Sequence, residues 1–425
     1  MKPGSMKSLG RVCVAGMGVS GKAVAAYLEA QPSGRVEELV CVDGVDEVPG
    51  RFDLIVISPG IAPHTPLFRS ARQSTDDLIS EIEFAYRESS NRWVGITGTN
   101  GKTTTTKLVV HLLEAGDIEA YAVGNIGIPA IEVVGTVSPD AILVAEVSSF
   151  QLATTALFAP SVGAILNITP DHLDWHRSLS EYVAEKCKIF ANLDPGSLAL
   201  INGQSEYFAR EYECAKMAGA EVMVLDVHRE ADDPLPTMQI KGIHNVENAL
   251  FAREIARYFE VDEDTITAAL TSFTPVRHRL QYAGFAGGAA WYNDSKATNP
   301  DAVIKALSAF SDNEPADESL IVLVGGQNKG NDMTQLAHAL VRRPATAVIT
   351  FGEDGGEIAG AVEAAGGAVL RAETMREAFA LAYEHAREGD AVLLSPACAS
   401  FDEFDNYEAR GEAFCALVRE HEDER

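Results

Sequence analysis

The run Gly95-Ile96-Thr97-Gly98-Thr99-Asn100-Gly101-Lys102-Thr103-Thr104 constrains this 425-residue chain more than any other feature, because it requires a strand, a tight turn and a helix in that order. Trp93 to Ile96 is an apolar run suited to a buried strand. Thr104 to Ala115 places Leu108, Val109, Leu112 and Leu113 on one helical face. Gly98 and Gly101 let backbone N–H groups turn toward an anion, and the helix N-terminus adds partial positive charge. Lys102 is placed to reach terminal phosphates and the Thr103 hydroxyl to ligate Mg²⁺, with Thr99, Asn100 and Thr104 completing the cradle. Ile96 stands where the usual pattern has its first glycine, so the loop is the shortened form Gly98-x-x-Gly101-Lys102-Thr103. The expected ligand is a nucleoside triphosphate with Mg²⁺.

The chain is too long for one core, and its patterning divides it into three α/β regions. The first, residues 1–90, has strands at Arg11 to Ala15, Glu38 to Val42 and Leu54 to Ser58, with helices from Gly21 to Ala30 and from Leu78 to Glu88. Polar Glu88-Ser89-Ser90-Asn91-Arg92 reads as a linker. The second region, 91–275, alternates strands such as Ala141 to Val147 and Val162 to Ile168 with helices such as Leu179 to Ala191 and Asn245 to Tyr258, closing near Thr274-Pro275-Val276. The third, 276–425, has apolar strands at Ala290 to Asn293, Leu320 to Val324, Ala347 to Phe351 and Ala391 to Ser395, separated by helices. The expected fold is α/β in three domains: a Rossmann-like N-terminal domain, a central P-loop mononucleotide-binding domain and a C-terminal Rossmann-like domain.

A net charge of −28 argues against a nucleic-acid or anionic-membrane surface. The six cysteines are scattered without a C-x-x-C pair, as in a reduced compartment, and no apolar run approaches the ~20 residues of a membrane helix. A cytoplasmic, monomeric protein without membrane insertion is expected, acting on small molecules.

Gly16-Met17-Gly18-Val19-Ser20-Gly21 is a G-x-G-x-x-G turn between a strand and a helix, and Asp43 follows the next strand at about the spacing of a ribose-binding acid. Alone it suggests NAD and an oxidoreductase. The same glycines serve any diphosphate ligand, or simply close strand-to-helix packing. Ser58-Pro59-Gly60-Ile61 lies at the same sheet edge, where it is either a ligand loop or a tight turn.

Beyond the phosphate loop, Glu146-Val147-Ser148-Ser149-Phe150-Gln151-Leu152, Asn167-Ile168-Thr169-Pro170-Asp171-His172-Leu173-Asp174 and Asn293-Asp294-Ser295-Lys296-Ala297-Thr298-Asn299 resemble the Mur ligases, the ATP-dependent amide-forming enzymes of peptidoglycan synthesis. Gly124-Asn125-Ile126-Gly127 and Leu394-Ser395-Pro396-Ala397-Cys398-Ala399-Ser400-Phe401-Asp402 look like the member that adds D-glutamate to UDP-N-acetylmuramoyl-L-alanine. The resemblance implies that the first domain holds the UDP-linked substrate, the second ATP and Mg²⁺, and the third the amino acid. The basic residue that often follows the second-strand acid in this member is absent, since Gly44, Val45 and Asp46 follow Asp43.

By resemblance, Lys102, His172, Lys186 and Arg279 are catalytic, and Thr103, Glu146, His172 and a carbamylated Lys186 hold metal. Asn245, Asn248, Arg279 and Asp294 would contact the nucleotide, with Arg279 acting on domain closure. Val19, Ser20, Gly60, Asn125 and His172 would contact the UDP substrate, and Thr298, Lys329, Ser400, Phe401 and Tyr407 the amino acid. Carbamylation needs a neutral amine, which burial among Tyr182 and Phe190 favours; Lys188 is a nearby alternative. Ser400 and Glu403 also have the spacing of a capping box opening a helix. The rival functions are another Mur-type or folylpolyglutamate-type amide ligase, an NAD-binding oxidoreductase, or an ATP-binding regulator without turnover. The D-N-P-R sequence that marks the diaminopimelate- or lysine-adding members occurs nowhere in the chain.

Overall fold

The computed structural model describes residues 8–226, 235–238, 243–274, 277–311, 319–342 and 346–422. Gly242, Pro275 and Val276, and the side chains of Leu173, Asp174 and Ile243, lie outside the described residues. The described chain gathers into two compact units, residues 1–238 with 245–273 and residues 239–244 with 274–425.

The first unit contains two parallel sheets. One has the order β2-β1-β3-β4, from β1 (Gly10–Ala15), β2 (Val36–Val42), β3 (Leu54–Ile57) and β4 (Leu78–Ile79). The other has the order β10-β9-β8-β5-β7-β6, from β5 (Arg92–Thr97), β6 (Ala120–Gly124), β7 (Ile142–Glu146), β8 (Val162–Ile165), β9 (Leu198–Asn202) and β10 (Glu221–Leu225). β5 and β7 are buried on both faces apart from Arg92, which is why they read as continuous apolar runs. Gly95 suits the crowding on β5, since a Cβ there would stand 2.7 Å from Ile189 and 3.2 Å from both Phe158 and Pro160.

Several local expectations are corrected. Leu78 and Ile79 do not begin a helix; they pair with β3, and the helix is Glu81–Glu88. A further helix, Pro66–Ser74, opens on Thr65 as N-cap with Pro66 in its first turn. The helix at Leu179 ends at Cys187 and continues as a 3₁₀ turn, Lys188–Phe190. The polar run from Glu88 to Arg92 connects the helix Glu81–Glu88 to β5 and makes specific hydrogen bonds. Glu88 holds the Arg35 guanidinium and accepts from the Tyr27 hydroxyl at 2.8 Å, while the Asn91 amide donates to the carbonyls of Ser138 at 2.7 Å and Ala141 at 3.0 Å.

The second unit holds one sheet of order β11-β12-β16-β13-β14-β15, from β11 (Gln281–Ala286), β12 (Ala289–Asn293), β13 (Leu320–Gly325), β14 (Thr346–Phe351), β15 (Val369–Arg371) and β16 (Ala391–Ala397). It is parallel except for the β11–β12 hairpin. No helix opens at Ser400. The Ser400 carbonyl accepts from the N–H groups of Glu403 and Phe404 in a turn, and the next helix, Tyr407–Glu420, is capped by Asn406. The Glu403 carboxylate instead accepts from Met375 N at the start of helix Met375–His385.

Candidate active site

The loop between β5 and helix Lys102–Ala115 has the backbone its glycines suggested, with φ of +155° at Gly98 and +87° at Gly101. A Cβ on Gly101 would meet Asn248 Oδ1 at 2.3 Å, so the loop and helix Ile243–Tyr258 touch there. Asn248 Oδ1 accepts from Thr105 Oγ1 at 3.2 Å and its amide donates to Asn245 Oδ1 at 3.2 Å. Both asparagines are buried, and Asn248 braces the loop from behind. Asn100 N donates to Asn167 Oδ1 at 2.9 Å, and the Asn167 amide returns a bond to Asn100 O at 3.0 Å. Thr99 Oγ1 joins Thr169 and the Tyr182 hydroxyl. Thr104 Oγ1 is buried with no hydrogen-bond partner among the described residues.

Two lysines meet at one carbonyl. Lys102 Nζ donates to Gly98 O and Thr99 O, each at 2.9 Å, and Lys186 Nζ donates to Gly98 O at 2.8 Å. Lys186 is 2 % exposed and lies over the Tyr182 ring at 4.6 Å. Burial, then the Lys102 charge, push its ammonium well below the ordinary lysine range, against the opposing pull of Asp171 and Glu146. Lys188 turns elsewhere, to Glu185 and the Ala153 carbonyl.

Glu146, at the end of β7, is buried and accepts from Thr103 Oγ1 at 2.7 Å and from the Asn125 amide at 3.0 Å. A hydroxyl and a carboxylate side by side at the mouth of a phosphate loop are the hard oxygen donors Mg²⁺ takes, and Mg²⁺ is usually completed by phosphates and water. Among the described residues no group of three or more His, Cys, Asp or Glu side chains is placed to hold a metal ion. His172 has φ of +54°, packs on Phe150 at 4.8 Å, and lies 3.7 Å from the Asp171 carboxylate.

At the C-terminal ends of β1 and β3, the loops Gly16–Gly21 and Ser58–Ile61 lie against each other: a Cβ on Gly16 would stand 2.7 Å from Ser58 Cβ. A Cβ on Gly21 would stand 1.9 Å from Gly16 O, so the last glycine serves close packing. Val19 is 71 % exposed beside partly exposed Ser20, and Gly60 is exposed. Asp43 Oδ1 accepts from Met17 N at 3.1 Å, holding the turn.

In the second unit, Asp294 is buried after β12, accepting from Leu280 N at 3.2 Å and Ser395 Oγ at 2.8 Å. Burial pushes it up to about 6, opposed by Arg279, whose Nε is buried with no hydrogen-bond partner among the described residues. The loops after β13 and β16 are joined by bonds between Gln327 and Ala399, which bring Lys329 Nζ over the Phe401 ring at 5.6 Å, near buried Ser400. Thr298 N donates to Lys296 O at 2.9 Å, and Lys296 Nζ lies over the Tyr407 ring at 5.2 Å.

Sequence reasoning missed Arg410. It is 1 % exposed and donates to Ser295 Oγ and to the carbonyls of Ser295, Cys398 and Ala399, tying β12 to the β16 loop. An arginine on an amphipathic helix carries no sequence signal of this.

Known proteins resemble the chain in both its units. The Mur ligase middle domain matches residues 96–235, and the Mur ligase, glutamate ligase domain matches 278–398. A UDP-N-acetylmuramoylalanine--D-glutamate ligase from Pelotomaculum thermopropionicum is 37 % identical over 96 % of this chain and 97 % of its own. The protein of the same name from Koribacter versatilis is 38 % identical over 96 % and 97 %. Among solved structures, MurF from Acinetobacter baumannii has a TM-score of 0.64 at 17 % identity, covering 96 % of this chain and 85 % of its own. MurC from Thermotoga maritima has a TM-score of 0.62 at 19 % identity, covering 96 % and 99 %.

Proposed function

This chain belongs to the Mur ligase family, and on that premise we infer that it is an ATP-dependent, ADP-forming ligase adding D-glutamate to UDP-N-acetylmuramoyl-L-alanine in peptidoglycan precursor synthesis. The observation that supports the ATP-dependent chemistry is Thr103 and Glu146 held together beside the Gly98–Lys102 loop, with Lys186 buried against the same loop; the choice of D-glutamate rests on the relatives of that name.

An amide cannot form directly from a carboxylate, because oxide is a poor leaving group. The alanine carboxylate oxygen therefore attacks the γ-phosphorus of ATP, releasing ADP and giving an acyl phosphate. The amine of D-glutamate then attacks the acyl carbon and phosphate leaves, the amine losing its proton. The loop amides and Lys102 bind and align the phosphates. Thr103 and Glu146 would hold Mg²⁺, which when bound neutralises phosphate charge. Lys186, whose ammonium form is disfavoured by burial and by the Lys102 charge, suits conversion to a carbamate whose oxygens would join His172 as further ligands. Gly16–Gly21 and Gly60 suit the diphosphate of the UDP substrate. Thr298, Lys329, Ser400, Phe401 and Tyr407 suit D-glutamate, and Arg279, Asp294, Asn245 and Asn248 the nucleotide. No helix among the described residues is long and apolar enough to cross a membrane. The enzyme so proposed works as a monomer in the cytoplasm.

ADP release with the UDP-linked substrate and D-glutamate, L-glutamate or no amino acid tests the assignment. Release only with D-glutamate is expected; release without discrimination refutes it.

A further inference from the structure

Glu81 is 2 % exposed, among the apolar side chains of Ile82, Ala130 and Ile131, where a hydrocarbon would cost less to bury. Its Oε1 accepts from Ile131 N at 2.8 Å, and Oε2 is buried with no hydrogen-bond partner among the described residues. Ile131 belongs to the short helix Ala130–Val133, whose N-cap, Pro129, has no side-chain bond to offer. That helix packs on Glu81–Glu88 and on Val19–Glu29, the helix leaving the Gly16–Gly21 turn.

The segment before it is the Gly124–Ile128 loop, closed by Gly124 N donating to Ile128 O at 3.0 Å. At its other end, Asn125 N donates to Glu146 O at 2.9 Å and the Asn125 amide to Glu146 Oε1 at 3.0 Å. We propose that Glu81 is a positioning residue: by anchoring Ile131 it fixes the Gly124–Ile128 loop and so holds Asn125 against Glu146. This rests on the reading of Glu146 as a metal ligand. Burial pushes Glu81 up to about 7; Glu132 adds to the rise, and the Ile131 and Ala130 N–H groups oppose it.

The test uses the full chain with Glu81→Leu, which removes the acceptor, and Glu81→Gln, which keeps one. Backbone hydrogen exchange across residues 124–133 and Mn²⁺ binding with ADP, followed by electron paramagnetic resonance, are the readouts. Glu81→Leu is expected to speed exchange there by about tenfold and weaken Mn²⁺ about fivefold, with the KM for D-glutamate unchanged; Glu81→Gln restores both to within about twofold. Unchanged exchange or Mn²⁺ affinity in Glu81→Leu, or a Glu81→Gln that behaves like it, overturns the proposal. If Glu81→Leu does not fold, Glu81→Asp, which withdraws the carboxylate from Ile131, takes its place under the same criteria. Glu146→Gln separates the two ideas: unchanged Mn²⁺ affinity there overturns both, whereas weakened binding there with none in Glu81→Leu overturns this inference alone.

Discussion

Replacing Glu83 by alanine removes four acceptor contacts from the interior of the first unit. The carboxylate is fully buried, with Oε1 accepting from Arg87 Nε at 2.7 Å and Leu157 N at 2.9 Å, and Oε2 from Ala156 N at 3.1 Å and Phe158 N at 2.9 Å. Arg87 keeps Asp77, to which it donates at 2.6 and 3.1 Å, so its charge is not wholly uncompensated. Each orphaned buried group costs about 1–3 kcal/mol, but neighbouring losses are not additive. Breaking one partner of a buried pair costs about 3–5 kcal/mol, and the lower end applies because Asp77 remains. A loss of about 3 kcal/mol corresponds to a roughly 10²-fold rise in opening, at about 1.4 kcal/mol per tenfold. Native-state hydrogen exchange at Ala156, Leu157 and Phe158 measures it directly. A rise below about tenfold at those amides, or an equal rise in β13 of the other unit, refutes the reasoning.

Lys186→Ala is expected to abolish turnover and to regain part of it with short carboxylate anions and Mg²⁺; full activity in the plain variant removes the carbamate reading. Burial raises both Glu81 and Glu211 from 4.5 to about 7. A carboxyl raised on folding stabilises fully below its unfolded value and loses that contribution as pH rises through the folded one. Stability should therefore fall between about pH 4.5 and about pH 7, by up to about 3 kcal/mol per group, and Glu81→Gln should flatten the slope; pH-independent denaturant midpoints in the parent refute this. Gly21→Ala is expected to raise the KM for the UDP substrate and to cost about 1–3 kcal/mol of stability, read by turnover and denaturation; an unchanged KM argues against that turn as the diphosphate cradle.

The backbone of the Gly98–Lys102 loop is legible in the sequence because its cause is local: Gly98 and Gly101 take the positive φ that turns the strand into the helix. The alternation of strands and helices is legible for the same reason. Leu78 and Ile79 mislead because their spacing to Ile82 and Ala85 is helical, and only β3 alongside makes them a strand. Ser400 and Glu403 have cap spacing, but Glu403 is taken by Met375 at the start of another helix. Glu81, Glu83 and Arg410 look like surface charges because their backbone partners lie 11 to 115 positions away in the chain and have no side-chain signature.

The helix Glu81–Glu88 also sets a schedule for synthesis. Its Glu83 needs amides at 156–158, and Glu81 needs Ile131. With roughly 5–20 residues added per second, the first sheet leaves the ribosome several seconds before its closing partners exist. Its buried carboxylates must wait in water for that interval. A nascent chain stalled near residue 90 should therefore remain open to proteases, and become resistant only once Phe158 has emerged.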